Sequence, residues 1–559
     1  MYHLMDQAGC GENDPNGPVF DPVHGVFHLF YQIHLAASPG HGPDYGHFVT
    51  KDLIHWAALP VAIWNGLDAS VWPPRITSYD NEAIYTGSAV VLDGAGPGGK
   101  GRGVIQIYPG LCNKNDWAGC RTGTLLAQAV PADYANDALL VNWTKPTYNP
   151  IVENTQRDPS TPWKTPAGEW RLRTYDSMVY GAASDADVVS GKWYTIGKSK
   201  SFRTCECPSF YPLPPPTPGT ASETAYAIAA TNGSLPTHVH KTSCGGDWWQ
   251  IGTYSPGEVN TTGSFTPTVG WEDSFRQRRI DVGRFYASKD ALYPTKGSDA
   301  LRRVNWGWAQ VPPQSTQTLP REITFNAAAR VLEQAPLEEL KALRGKPAFL
   351  TKAPLRLPPG ADYVLPVSGA IVAQSELVVV FQLPPAGEAT FSVSVGVLSA
   401  RRLRKEEDAM ADAVEDEVGN EAMAPSLGAD PQAIDCSVSY SSPTNTSASY
   451  YDVPVRCGKA SDVLRILTSE RTLSLRVFSD ATFMEAYFQD GRVAITETLP
   501  VRAHESTAVA IGSNTASVVQ SVALYPMRSI WTTPDAVRKA PRVYNGLTLE
   551  SHVESTVIG

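Results

Sequence analysis

From residue 1 to about residue 328, short apolar runs alternate with segments rich in Gly, Pro, Asn and Asp, and no long amphipathic helix interrupts them. Val26-Phe27-His28-Leu29-Phe30-Tyr31-Gln32 is one such run, with the composition and bounding residues of a strand. Repeated this often, the pattern suits a β-propeller or a large sandwich. No internal repeat is visible, so the pattern alone counts no blades. Residues 329–346 read differently: Val331, Leu332, Leu337, Leu340 and Leu343, among Glu333, Glu338, Glu339 and Lys341, predict a short helical linker. Beyond Pro347 alternation returns at 376–382, 390–395, 464–467, 473–478 and 482–488, which predicts a second, sandwich-like domain over 347–530. Within it, 401–431 is rich in Ala, Glu and Asp and predicts a solvated, disordered insertion. Residues 531–559 read as a C-terminal tail, and 212–218 as a proline-rich loop.

A chain of 559 residues is too long for one typical domain, and 45 Gly with 45 Pro fit an all-β, turn-rich protein. The formal charge of −10 argues against a nucleic-acid partner, because phosphate binding needs a basic field. No apolar stretch reaches the roughly 18–20 residues of a membrane span. Eight cysteines, with Asn-X-Ser/Thr sequons at Asn142, Asn232, Asn260 and Asn445, fit an oxidising, glycosylating route. No leader-like segment opens the sequence, so a mature form, or an incomplete gene model, of a secreted or vacuolar protein is expected, as a monomer or homodimer.

Three carboxylates carry candidate chemistry. Asn13-Asp14-Pro15-Asn16-Gly17 reads as a tight turn that fixes Asp14 at the edge of a strand. Asp158 is fixed before Pro159, with Arg157 beside it to hold it ionised. Glu206, in Cys205-Glu206-Cys207-Pro208-Ser209-Phe210-Tyr211, sits among apolar and aromatic residues, a setting that disfavours the charged form and suits a general acid. Two carboxylates in opposed environments are what retaining glycoside hydrolysis needs.

The segments NDPNG (13–17), FHLFYQ (27–32), TKDLIHW (50–56), YTGSAVV (85–91), RDP (157–159), ECPSFYPL (206–213), GRFYASK (283–289), RRVNWGWAQ (302–310) and LPREI (319–323) follow in order. Together they resemble the glycoside hydrolase family 32 β-fructofuranosidases, with the plant-type branch most similar. The resemblance implies a five-bladed β-propeller over 1–328 whose central funnel holds the three acids. It implies Asp14 as nucleophile, Glu206 as general acid/base and Asp158 as transition-state stabiliser. Asn13, Gln32, Tyr45, Tyr85, Thr86, Arg157 and Asp247 become the expected sugar-contacting set. The implied substrate is a small carbohydrate, sucrose or a fructan, and no cofactor is implied. Sucrose hydrolysis is the first expectation. A fructosyltransferase or fructan exohydrolase with the same trio is the alternative, and a catalytically weak sugar-binding homologue the alternative from another class.

Several positions depart from the family pattern. Gly11-Glu12 stand where relatives have Trp-Met, which removes an apolar wall and adds a charge expected to raise the pKa of Asp14. Tyr45-Gly46-His47 stands where many relatives have Trp-Gly-His, and Asp247 has no basic residue shortly after it. His238 and His240 share a strand face without a third ligand, so no metal site is expected. By the same resemblance Cys436 pairs with Cys457 and Cys207 stays free. Cys112 and Cys120 are a further candidate pair closing a short loop, and Cys205 and Cys207 point to opposite faces if the segment is extended.

Overall fold

The structure is a computed structural model, and it describes residues 1–36, 42–112, 123–217, 219–233, 235–268, 279–298, 300–396, 433–443, 449–500 and 507–545. The chain is mostly strand. Among the described residues, five antiparallel sheets of four to six strands follow one another between Gly11 and Pro336, with a small two-stranded sheet of Leu67–Asp68 and Arg75–Ile76 besides. The first holds Gly11–Asp21, Val26–His34, Asp44–Thr50 and Ala57–Ile63. The fourth starts with Glu206–Pro212 and the fifth with Phe285–Pro294. Gly11–Asp21 touches both Phe285–Pro294 and Ser88–Asp93, and Glu206–Pro212 touches Phe285–Pro294. The opening strands of separate sheets therefore face one another, and whatever projects from their ends is gathered into one place.

The succession is laced shut by its own beginning. The Gln317 amide donates to the Leu4 carbonyl at 2.8 Å, the Thr316 hydroxyl to the same oxygen at 2.6 Å, and Gln317 Nε2 to the Asn13 carbonyl at 2.7 Å. These bonds tie the first sheet to the fifth and fix the approach to Asp14.

The segment at 329–346 differs from the helical reading. Val331–Pro336 is a strand of the fifth sheet, paired with Arg321–Asn326, and only Glu338–Leu343 winds, as a 3-10 turn. Pro336 cannot sit inside a helix, and the hairpin turn is completed by Arg330 at φ +56°. Conversely, the Ala-rich stretch Ala221–Thr231 forms a helix after the proline-rich loop, where none was expected.

Two sheets of seven and six strands build the C-terminal part, and their inner faces share a core of Val379, Phe381, Phe391, Val393, Leu475 and Ile511. The strands Gln374–Gln382, Glu388–Gly396, Ala460–Leu467, Thr472–Asp480 and Phe483–Phe488 contain nearly all of the runs read from the sequence. The insertion expected at 401–431 lies outside the described residues. Of the expected tail, residues 531–545 are described and pack on the rest. The backbone around Trp56 bonds to Ile530 and Thr532, Pro534–Lys539 is helical, and Tyr544 is buried against Phe27.

A second apolar cluster spans the two parts, joining Phe27, Tyr293 and Trp306 to Phe478, Tyr487 and Met527. Buried ions lie beside it. Arg321 Nη2 reaches Asp281 Oδ2 at 2.9 Å and Glu485 Oε2 at 2.7 Å. His3 bonds Asp480 and Glu485, each at 2.9 Å. Burial opposes ionisation of Glu485, yet Arg321 and His3 hold its pKa down at about 2. Removing Arg321 takes the guanidinium from two buried carboxylates, Asp281 and Glu485, and leaves His3 beside Glu485 alone. Arg321→Met is expected to cost about 3–5 kcal/mol, read as a lowered midpoint in urea unfolding. A shift worth under about 1 kcal/mol would show that the cluster tolerates the loss.

Candidate active site

Asp14 is not in a tight turn. It lies in the strand Gly11–Asp21 inside the first of two register shifts, Glu12/Pro15 and Asn16/Val19, and such bulges re-aim a side chain out of the alternation. Gly17 sits at φ +39°, a backbone that strains any larger residue, and a Cβ there would lie 2.1 Å from Gln106 Oε1 and displace that side chain. Similar devices shape the other site strands. Glu206 opens its strand ahead of a shift at Glu206/Ser209, with Cys207 at φ +45°. The strand carrying Tyr286 shifts at Tyr286/Lys289, with Ala287 at φ +52°. Asp158 itself, in the loop after Val152–Thr155, has φ +60°. Left-handed backbone at three non-glycine residues is costly, and their occurrence beside Asp14 and Glu206 makes this the candidate site.

The three acids meet around Cys207. Its thiol lies 3.7 Å from Asp14 Oδ2 and 3.9 Å from Asp158 Oδ2, and its amide donates to Asp158 Oδ2 at 3.0 Å. Cys207 also follows Glu206 directly. Thr86 donates a short hydrogen bond to Asp14 Oδ2 and itself accepts from Gln32 Nε2 at 2.8 Å. Asn13 bonds Gln32 at 3.4 Å and His34 at 2.9 Å. Glu206 is gripped from two sides, by the Arg157 guanidinium and by the Tyr286 hydroxyl at 2.6 Å. Arg157 also packs over the Tyr175 ring at 5.0 Å. The Glu206 side chain keeps 33% of its surface and Arg157 39%, against 3% for Asp158, so the first two are accessible to solvent and Asp158 lies beneath the surface.

These environments correct parts of the sequence reading. Glu206 is not in an apolar setting: Phe210 and Tyr211 turn into the core, and its carboxylate meets Arg157 and Tyr286. Arg157 stands 3.8 Å from Asp158, but its pull on the carboxyl is outweighed. Burial, with Glu206 nearby, raises the Asp158 pKa in spite of Arg157, Lys289 and the Cys207 amide. Asp14 is pushed up to about 7, chiefly by burial and then by Asp158 and Glu206, against the Thr86 bond. Glu12 is not the cause: its buried carboxyl accepts from the Asp6 amide at 2.6 Å and from Gln317 at 3.4 Å.

Two expected sugar contacts are inside the wall instead. Tyr45 is fully buried and its hydroxyl donates to the Tyr85 carbonyl at 2.6 Å, so it props up Tyr85 and Thr86 from behind. Asp247 is likewise buried, and it does have a basic partner: Lys241, across the strand pair, at 2.9 Å. Asp247 also accepts from the Ala287 and Ser288 amides at 3.0 and 2.7 Å, pinning the bulge beside Tyr286. Burial opposes ionisation of Asp247, yet Lys241 and the hydroxyls of Ser288 and Ser243 keep its pKa low. The histidines are structural: His238 stacks on Phe210 with ring centres 4.8 Å apart, and His240 bonds Arg173.

Tyr286 was missed, although it lies in the quoted GRFYASK segment, where nothing in composition sets it apart. Also missed was the pairing of Cys205 with Cys244, beside the expected Cys436–Cys457. The candidate pair Cys112–Cys120 falls partly outside the described residues, since Cys120 does.

Comparison with known proteins shows what the chain is similar to. The Glycosyl hydrolases family 32 N-terminal domain matches residues 3–339. Acid beta-fructofuranosidase 4, vacuolar, of Arabidopsis thaliana is 31% identical over 409 residues, 66% of this chain and 53% of that protein. Beta-fructofuranosidase, insoluble isoenzyme 7, of Oryza sativa subsp. japonica is 30% identical over 421 residues, 69% of this chain and 63% of that one. The matched regions thus span less than two thirds of either relative. The crystal structure of fructan 1-exohydrolase IIa from Cichorium intybus is similar in fold, with a TM-score of 0.67 at 24% identity over 95% of this chain and 98% of that chain. By its motifs, its fold and the extent of the match, this chain belongs to glycosyl hydrolase family 32.

Proposed function

We propose that the chain is a retaining β-fructosidase that hydrolyses sucrose and related β-D-fructofuranosides, with the five sheets as propeller blades around its site. The observation that carries this reading is the convergence of Asp14, Asp158 and Glu206 on Cys207. Asp14 attacks the anomeric carbon, and Glu206, held by Arg157 and Tyr286, protonates the departing oxygen. Water then reaches the fructosyl-Asp14 ester, with Glu206 taking its proton. Asp158 and Arg157 bind fructose hydroxyls and balance charge growing on the ring. Asn13, Gln32 and Thr86 orient Asp14, and Tyr85 lines the rim.

Fructans are a second substrate class, favoured by one feature of the rim. A side chain at Gly11 would meet nothing within 4 Å, so the space beside the nucleophile strand is open to a longer sugar. A secreted or vacuolar setting fits the disulfides and the vacuolar name of the Arabidopsis relative. Purified protein is to be incubated with sucrose, inulin and levan, and free glucose and fructose separated by chromatography. Equal glucose and fructose from dilute sucrose is the expected result. Glucose well above fructose means transfer dominates, and no release from any substrate removes the reading.

A further inference from the structure

Glu206 sits where its strand is least well held. Its Cα pairs with Ser243, but the next paired residue is Ser209, and between them the ladder breaks at Cys207. Beyond Ser243 the chain turns through Gly245 and Gly246, at φ +64° and +143°, a backbone with little intrinsic stiffness. The disulfide Cys205–Cys244 closes this loose end, joining the residue before Glu206 to the residue after Ser243. The same turn steers the acid's other partner. The Tyr286 hydroxyl lies 2.6 Å from Glu206 Oε2 and 3.2 Å from the Ser243 carbonyl oxygen, so a displaced Ser243 would draw Tyr286 with it. Trp248 Nε1 bonds the Cys244 carbonyl at 3.0 Å, extending the braced unit into the next strand.

We propose that the Cys205–Cys244 disulfide is a positioning pair, holding the Glu206 carboxyl and Tyr286 in the geometry that delivers a proton to the leaving sugar. It rests on the fructosidase reading. Cys205 and Cys244 are both partly exposed, whereas Cys436 and Cys457 are buried, so of these two bonds the one beside the acid is the more open to a reductant.

The test uses the full chain with Cys205→Ser and Cys244→Ser combined, on two substrates. Sucrose needs its leaving oxygen protonated, whereas the nitrophenolate of 4-nitrophenyl β-D-fructofuranoside leaves without a proton. In both cases kcat/KM reports formation of the fructosyl-enzyme. The expected result is a loss of about tenfold or more on sucrose and of less than about threefold on the aryl substrate. A crosslink that only stabilised the fold would lower both alike, and equal losses, or none on sucrose, overturn the proposal. If the double variant does not fold, wild type treated with dithiothreitol gives the same ratio. The dithiol supplies two electrons and two protons, becoming a cyclic disulfide while Cys205 and Cys244 become thiols. Wild type that cleaves neither substrate overturns the fructosidase reading itself, an outcome distinct from equal losses in an active parent.

Discussion

Asp14→Asn is expected to abolish turnover and, above neutral pH, to make the protein harder to unfold. The loss follows from removing the nucleophile, about 10⁴-fold or more in kcat. The gain follows from the pKa of about 7 that burial, Asp158 and Glu206 impose on Asp14, against an ordinary 3.8. Between those two values the folded protein holds a proton that the unfolded chain has released. Stability therefore falls as pH rises from about 4 to about 7, and the whole penalty is present above 7. A neutral amide escapes it. The variant should be more stable than wild type by about 2–4 kcal/mol at pH 8 and by almost nothing at pH 4. Thermal melts of the two proteins at both pH values check this. A variant less stable at pH 8 would mean that the Thr86 bond matters more than the buried charge.

Glu206→Gln is expected to separate the two halves of the reaction. Sucrose cleavage should fall by about 10²–10⁴-fold, because the leaving oxygen loses its proton donor. An aryl fructoside needs no such donor and should still load Asp14. Removal of the fructosyl group then stalls without a base to activate water. The result is a burst of nitrophenol followed by slow turnover, with a fructosylated Asp14 visible by intact mass spectrometry. Equal losses on both substrates and no adduct would rule out Glu206 as the acid/base.

The strands were legible because alternation survives burial: the runs at 376–382 and 473–478 fall inside Gln374–Gln382 and Thr472–Asp480. The helix expected near 331 failed because pairing with Arg321–Asn326 outweighed a local pattern that Pro336 had already compromised. At the site, the sequence carried residue identities but not which way they point. Tyr45, one residue after the buried Asp44, could have faced the sugar, yet it is turned behind Tyr85. Asp247 found its lysine across the sheet, six positions earlier in the chain, where a search for a nearby following base does not look. Bulges at Glu12/Pro15, Glu206/Ser209 and Tyr286/Lys289 set the final orientation, and a bulge leaves no signature in hydrophobic periodicity.

The bonds of Tyr2, His3 and Leu4 bear on how the molecule is assembled. The Tyr2 hydroxyl donates to the carbonyls of Ser375 and Ser479 at 3.0 and 2.8 Å, His3 needs Asp480 and Glu485, and Leu4 needs Thr316 and Gln317. A ribosome releases the partners of these residues hundreds of residues after the residues themselves. Until then the strand that carries Asp14 lacks its anchor, and the sheets at either end of the succession have no seam. Contacts so distant along a chain are slow to form and leave strand edges open meanwhile. The sandwich is therefore more than an appendage of the catalytic part. It is the clasp that completes it, and the strand that carries Asp14 gains its last anchors only after Glu485 has been made.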